Sequence, residues 1–272
     1  MPQKGFWNSS ETAEHWQQDA ERRRQNFAEA TRHMLDAAEL GPGDHVLDIG
    51  AGTGDQSLLA ARRVGPGGSV LATDLSAEML TIAARVAEQE GLTTITTRVM
   101  NAEQLDLEDR AFDAVISRLA LMLVPNLKQA LREIHRVLKP GRKLAALVWS
   151  TPENNPLFAL PLAILAKYTK GADSPSLHPL ALSSPAVFER ELTEAGFSEV
   201  STRTLAFQSH YTSLDAFLHS TASRLTAGVA ERLSQQEQQQ LLAEMRQALS
   251  QFESPHGLVA PAEMLLGAGR KK

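Results

Sequence analysis

The sequence predicts an α/β fold: a doubly wound, mostly parallel sheet with helices on both faces and a helical cap. Three features carry that expectation. Short apolar strands alternate with helices as far as residue 150, the rhythm of a parallel sheet covered on both sides. The first strand, "HVLDIG", runs straight into a glycine-rich turn, Gly50-x-Gly52-x-Gly54, with a helix behind it. After residue 150 the rhythm breaks into proline-rich loops, an apolar helix and a Gln-rich helical stretch that a minimal sheet domain does not need.

Each element has a local cause. Residues 11–40 read as helix, rich in Ala, Glu, Gln and Arg, and Gly41-Pro42-Gly43 stops it. "HVLDIG" is a buried strand and "DQSLLAARRV" a helix, and "GPGG" breaks the chain before the strand "SVLATDL". Ser76 caps the helix "AEMLTIAARVAEQE", which Gly91 ends. "TITTRVM" is a β-branched strand and "FDAVISR" another. "NLKQALREIHRVL" is an amphipathic helix running to "KPG", and "KLAALVWS" is the fifth strand. Beyond it lie an apolar helix near 156–168, the helix "PAVFERELTEAGF", the long strand "SEVSTRTLAFQSHYT" and a helical region over 213–252. A short last strand is expected within "GLVAPAEMLLGAG". No internal repeat is visible, and "SQQEQQQ" reads as a solvated helix face.

Composition narrows the function. With 43% hydrophobic residues in 272, the chain can bury a full core. Its net charge of -5, with acids and bases mixed, disfavours a nucleic-acid surface. There is no cysteine, which excludes disulfides, thiolate metal sites and a cysteine nucleophile. No His/Asp/Glu spacing suggests a metal site. No apolar run reaches the length of a membrane span, and "MPQKGFWNSS" has no signal-peptide core, so a soluble cytoplasmic protein is expected.

The glycine turn points to a ligand approached by backbone. It departs from the dinucleotide fingerprint G-x-G-x-x-G, whose third glycine would fall on Asp55. A carboxylate at the helix start opposes a pyrophosphate there. No Gly-Lys-Ser/Thr follows, so a phosphate-binding Walker loop is excluded. The second strand ends in Asp74, an acceptor-only carboxylate suited to both hydroxyls of a ribose. The third ends in "NAE", where Asn101 can bond an adenine edge while Leu75 and Met79 sandwich the ring. Helix capping for Asp74 and ordinary packing for Met79 are the competing structural readings.

"VLDIGAGTG", "ATDLSAEML" and "NAEQLDLEDRAFDAVISRLALMLVPNLKQALREIHRVLKPGRKLAALVW" together resemble the class I S-adenosylmethionine-dependent methyltransferases. The likeness is to the type 11 group, which includes ubiquinone and menaquinone biosynthesis methyltransferases, and it covers about residues 40–150. The resemblance implies a seven-stranded Rossmann-like methyltransferase sheet. It implies S-adenosylmethionine as cofactor, with S-adenosylhomocysteine as product. By the same resemblance Asp48 and the turn Gly50, Ala51, Gly52 and Gly54 hold the methionyl part. Asp74 holds the ribose, Asn101 and Ala102 meet adenine, and Ser117 and Arg118 close the site largely through backbone groups. Many relatives carry Asp where this chain has Asn101. The domains expected are an N-terminal helical lid over 1–40, the cofactor core over 41–150, and the remaining strands with cap insertions over 151–272.

Methyl transfer needs alignment more than chemistry from side chains, so no catalytic residue follows from the sequence. His15, His178, His210, His219, His256, Tyr168 and Tyr211 are the candidate bases, and no motif assigns any of them. His33 and His45 read as structural. Trp7 and Trp16 are lid candidates, and Arg22-Arg23-Arg24 reads as a solvated helix face. Trp16, Leu119 and Leu123 are expected to line a pocket for a small, hydrophobic or aromatic acceptor, in a monomer or homodimer. A regulatory cofactor-binding protein, or an enzyme using the cofactor for a non-methylating reaction, stays open. A nucleotide-cofactor oxidoreductase is opposed by Asp55.

Overall fold

The structure is a computed structural model, and it describes residues 16–17, 19–168, 181–222 and 232–272. Trp7, His15 and His178 lie outside the described residues.

Five strands form the parallel part of one sheet: β1 (His45–Ile49), β2 (Ser69–Asp74), β3 (Ile95–Val99), β4 (Phe112–Arg118) and β5 (Leu138–Trp149). Two long antiparallel strands complete it, β6 (Phe197–Tyr211) and β8 (Gly257–Lys271), with a two-residue β7 (Glu253–Ser254) paired to β8. The order is β3-β2-β1-β4-β5-β8-β6. Seven strands in series are what the family resemblance implied, and β7 is a short addition.

The helices are α1 (Ala20–Ala37), α2 (Asp55–Val64), α3 (Ala77–Gln89), α4 (Leu127–Val137), α5 (Pro156–Ala166), α6 (Pro185–Glu194), α7 (Leu214–Phe217) and α8 (Gln235–Leu249). Capping fixes several of their starts. Ser76 accepts from Met79 N–H, and Asn126 accepts from Gln129 N–H. Ser234 and Glu237 form a reciprocal capping box at α8.

Alternation along the strands sends side chains to two cores. On one face Leu47, Val115, Leu144 and Val148 pack against Leu131 and Ile134 of α4 and Phe188 and Leu192 of α6. On the other, Val46, Ile116, Leu147 and Leu266 pack against Phe27 and Met34 of α1 and Ala60 and Val64 of α2. Helix α1 is therefore a layer of the core. Asn26 fastens it further, exchanging hydrogen bonds with the His210 backbone at 3.3 and 3.4 Å. A third cluster joins α5, α7 and α8 to the start of β8 through Leu165, Phe217, Met245 and Leu258. Tyr168 and Lys167 clasp Glu244 of α8 at 2.6 and 2.9 Å. This is the helical cap.

Two expectations need correction. The last strand is not short. β8 runs for 15 residues and lies inside the sheet between β5 and β6. The arginine run is not a solvated face either, because Arg23 is 5% exposed and paired across 32 residues to Asp55.

Candidate functional site

Chain order reverses between β1 and β4, which are neighbours in the sheet. Their following connections diverge and leave a crevice at the carboxyl ends, where ligands of such sheets bind. The glycine turn lies there. Gly50 and Ala51 N–H both donate to the Thr73 carbonyl, at 2.8 and 2.9 Å. Gly50, Gly52 and Gly54 have φ of 70, 55 and 87°, a left-handed backbone that favours glycine. A Cβ on Gly50 would stand 2.2 Å from Ala120 Cβ, so the chain leaving β4 packs directly on the turn. Gly52 has room, its nearest neighbours there being Trp16 Nε1 at 3.6 Å and Met79 Sδ at 3.8 Å.

Asp74 is tied to this turn. Its Oδ2 accepts from Gly52 N–H at 2.9 Å and its Oδ1 from Ser76 N–H at 3.0 Å. An ionised carboxylate has about four lone-pair sites, so each oxygen keeps capacity for a ligand hydroxyl. Burial pushes its carboxyl above the usual range, opposed by the amides of Ser76, Gly52 and Leu75.

Asp48 is wholly buried. It accepts from Ser57 Oγ and, at 3.1 Å, from Gln56 Nε2, so it organises the first turn of α2 from below. Burial pushes its carboxyl up to about 6, against the lowering effect of Ser57, Gln56 and Arg118. Because the folded value lies above the ordinary 3.8, the stability linked to this group is present at low pH and is lost as pH rises through about 6. Between about pH 4 and pH 8 the loss should be on the order of 2 kcal/mol. Asp48→Asn should flatten that part of the profile in urea unfolding. An unchanged slope would show that Asp48 is not its source.

The remaining predicted residues meet the same edge in different ways. Leu75 is 42% exposed, whereas Met79 is buried with Ile82 beneath Trp16. Asn101 Oδ1 accepts from Glu103 N–H at 3.0 Å, and Glu103 Oε1 in turn accepts from Asn126 N–H at 2.7 Å. Ala102 packs on the core beneath α4. Ser117 Oγ donates to the Ile49 carbonyl at 3.0 Å, joining β4 to β1. Leu119 has φ of 59° and its N–H reaches the Leu147 carbonyl at 2.8 Å. Leu123 packs against the core beside it.

The sequence reading missed a buried ion-pair network. Asp55 Oδ2 takes both Arg23 Nε and Arg118 Nη2 at 3.2 Å, with side chains 5–7% exposed. Arg23 also bonds Thr53 Oγ1 at 3.0 Å and the Trp16 carbonyl, and it stacks 4.6 Å from the Trp16 ring. Arg118 bonds Thr31 Oγ1 at 2.9 Å. The carboxylate at the helix start is thus the counter-ion of two arginines. Its signal was a charged residue at the first helical position opposite an arginine at the end of β4.

The candidate bases are spread out. Tyr168 is engaged by Glu244, which with burial pushes its hydroxyl up to about 12. Tyr211 stacks under Arg22, 3.9 Å from the ring centroid. Among the described residues no group of three or more His, Cys, Asp or Glu is placed to hold a metal ion.

Comparison with known proteins places this edge in a family. A family described as a methyltransferase domain matches residues 46–141. Demethylmenaquinone methyltransferase of Symbiobacterium thermophilum is 39% identical over 122 residues, 44% of this chain and 49% of that protein. Ubiquinone/menaquinone biosynthesis C-methyltransferase UbiE of Pasteurella multocida is 32% identical over 185 residues, 62% of this chain and 68% of that relative. The chain belongs to the class I S-adenosylmethionine-dependent methyltransferases, in the UbiE-like group. The cofactor of this UbiE-like chain is S-adenosylmethionine. The YcgJ protein of Bacillus subtilis, a solved structure, shares the fold with a TM-score of 0.64 at 19% identity, covering 90% of this chain and 99% of its own. The chain spans about half the length of the first curated relatives it matches, 49% for the Symbiobacterium protein.

The residues present fit that cofactor. The turn lets backbone approach a ligand without a Cβ, and Asp74 offers a fixed carboxylate with free lone pairs; Asp55, spent on Arg23 and Arg118, does not bear on whether the ligand carries phosphate.

Proposed function

We propose that this chain transfers a methyl group from S-adenosylmethionine to an O, N or C atom of a small, mostly apolar molecule, leaving S-adenosylhomocysteine. The observation that carries the reading is Asp74, held by two backbone amides beside a turn of three left-handed glycines. Asp74 holds the ribose hydroxyls. Gly50, Ala51, Gly52 and Gly54 admit the methionyl part, with Asp48 and Ser117 fixing the turn from beneath. Leu75 and Met79 flank the adenine, whose edge meets Asn101 and Ala102. Arg118 and Arg23 hold the turn and the Trp16 segment together.

The cofactor supplies a methyl group already activated on a sulfonium. The protein's part is alignment and exclusion of water, and positioning alone is worth roughly 7–11 kcal/mol. Trp16, which reaches over Gly52, and the loop from Leu119 to Val124 wall the acceptor side together with α5, α7 and α8. A base is required only for an acceptor that must lose a proton. No helix among the described residues is long and apolar enough to cross a membrane, and the reading is of a monomer or homodimer.

The test is calorimetry with S-adenosylmethionine. Asp74→Asn should weaken binding by about 1.5–3 kcal/mol, since charge-assisted bonds to the hydroxyls are lost. Unchanged affinity in a folded variant sinks the assignment. Thioether release with a panel of apolar acceptors then separates a methyltransferase from a regulatory protein that binds without turnover.

A further inference from the structure

Two strands end the sheet, β3 and β6. Edge strands of native proteins carry bulges, charges or prolines that keep another chain from pairing with them. β6 has such a device: its register on β8 shifts between Ser198 and Ser201, and Glu199 in that gap has φ of 48°. β3 runs in unbroken parallel register on β2, from Val70↔Ile95 to Asp74↔Val99. Its one charged residue, Arg98, turns back on its own chain, bonding Asp106 Oδ2 at 2.7 Å and the Asp106 carbonyl at 3.0 Å.

The register decides which backbone groups face outward. Val70 N–H donates to the Thr94 carbonyl and Met100 N–H to the Asp74 carbonyl, each at 2.9 Å, so the even-numbered residues here turn toward β2. Direction alternates along a strand, and Thr97 and Val99 therefore turn their N–H and C=O groups away from the sheet. Val99 is 55% exposed, one of the few large apolar side chains so open among the described residues. Beside it a groove of about 340 Å³ separates β3 from the exposed Ala77, Thr81 and Ala84 of α3.

We propose that the β3 edge is the surface through which two copies of this chain pair, antiparallel about Thr97, into one continuous sheet. A second copy is the occupant because the edge complements itself. A two-fold axis at Thr97 sets that residue opposite its own copy, so that each exchanges N–H and C=O with the other. It also sets Val99 opposite the partner's Ile95, a β-branched pair on one face. The same axis lays the two α3 helices antiparallel. Paired strands stand about 4.8 Å apart, so helices lying on them meet closely, and Ala77, Thr81 and Ala84 leave room for that approach. Ala77 and Val99 line the same groove, so α3 begins level with the end of β3. Glu78 and Arg85 lie about two turns apart on one side of α3, and the axis brings each Glu78 to the partner's Arg85. Within the chain Glu78 accepts from Ser76 Oγ at 3.2 Å and Arg85 donates to Gln17 at 2.6 Å, bonds that hold both side chains at this end of the sheet.

The test is sedimentation velocity on the full chain over a concentration series. Wild type should sediment as a dimer that dissociates on dilution. Val99→Glu should raise the dissociation constant by at least about tenfold. Arg85→Glu should weaken the dimer too, and adding Glu78→Arg to it should restore association. The chain has no cysteine, so Thr97→Cys puts a single thiol on the axis, where opposed Cα atoms at about 5.5 Å suit a disulfide. Air oxidation should link that variant into covalent dimers. Thr96→Cys, which faces the partner's Arg98 and not itself, should stay as single chains. The cysteine pair decides the matter if Val99→Glu does not fold. A wild type that is monomeric throughout, a dimer indifferent to Val99→Glu and to both charge changes, or equal linking of the two cysteine variants overturns the proposal. The pairing does not rest on the methyltransferase reading, which none of these measurements touches.

Discussion

Gly50→Val should abolish cofactor binding and destabilise the fold. Two independent costs act at this one position. The backbone has φ of 70°, which a β-branched residue does not adopt without strain. A Cβ there would also stand 2.2 Å from Ala120 Cβ, well inside van der Waals contact. Strain of roughly 1–3 kcal/mol and overpacking of about 1–3 kcal/mol add to a loss of several kcal/mol. The turn cannot move away cheaply, since Gly50 and Ala51 both donate to the Thr73 carbonyl. Pairing Gly50→Ala with Ala120→Gly separates the two costs: the second change removes the atom that is struck, so stability should recover in part while the backbone strain remains. Urea unfolding and cofactor titration of the single and double variants read this directly. Wild-type stability and affinity in Gly50→Val would mean that the turn is not seated on the end of β4.

Gly52 differs from Gly50 in a way the sequence did not show. In G-x-G-x-G all three glycines look alike, and all are read as bringing backbone close to a ligand. The structure gives Gly52 ordinary contact distances to Trp16 and Met79, so Gly52→Ala escapes the clash met at Gly50 and carries only the strain of its φ of 55°, roughly 1–2 kcal/mol, beside its effect on the ligand.

Elements governed by local signals were legible. Ser76 before an apolar periodic run, Gly54 before Asp55, and the exchange from alternating to helical periodicity all act within a few residues, and α2, α3 and β4 follow them. The last strand failed that test because its defining partners are remote. Pro261 and the glycines at 267 and 269 are residues that strand interiors disfavour. In the sheet, Pro261 pairs with β6 before the β5 pairing begins at Met264, where a missing N–H is tolerated. Gly267 leaves space for the Phe188 ring, which a Cβ would approach to 2.4 Å, and Gly269 for the Phe197 side chain, whose Cβ it would approach to 2.8 Å.

The candidate site shows the same division. The glycines were visible because they directly follow the first strand, and Asp74 because it closes the next one. Arg23 was not, since its partner lies 32 residues away and its neighbours Arg22 and Arg24 are more exposed. A run of three arginines carries no sign of which one turns inward.

Asp55→Ala should cost about 3–5 kcal/mol, the range for removing one partner of a buried charge group. Asp55 Oδ2 is shared by two guanidinium groups at 3.2 Å, all three side chains 5–7% exposed. Without it Arg23 and Arg118 face each other across the start of α2 with no carboxylate between them. Thr53, Thr31 and the Trp16 carbonyl, which they also bond, are neutral oxygens and offset only part of that repulsion. Asp55→Asn keeps one acceptor oxygen and should cost less. Because the group is dry, added salt should restore little of the loss, unlike the behaviour of an exposed pair. The same change should reach the cofactor. Arg23 joins the Trp16 segment to α2, so loosening it should free the indole from its place over Gly52 and weaken cofactor binding beyond what stability alone accounts for. Urea unfolding at low and high salt, with cofactor titration of the folded variant, tests both parts. A loss below about 1 kcal/mol, restored by salt, would show that water reaches the three charges and that the network does not bind the turn to the N-terminal segment.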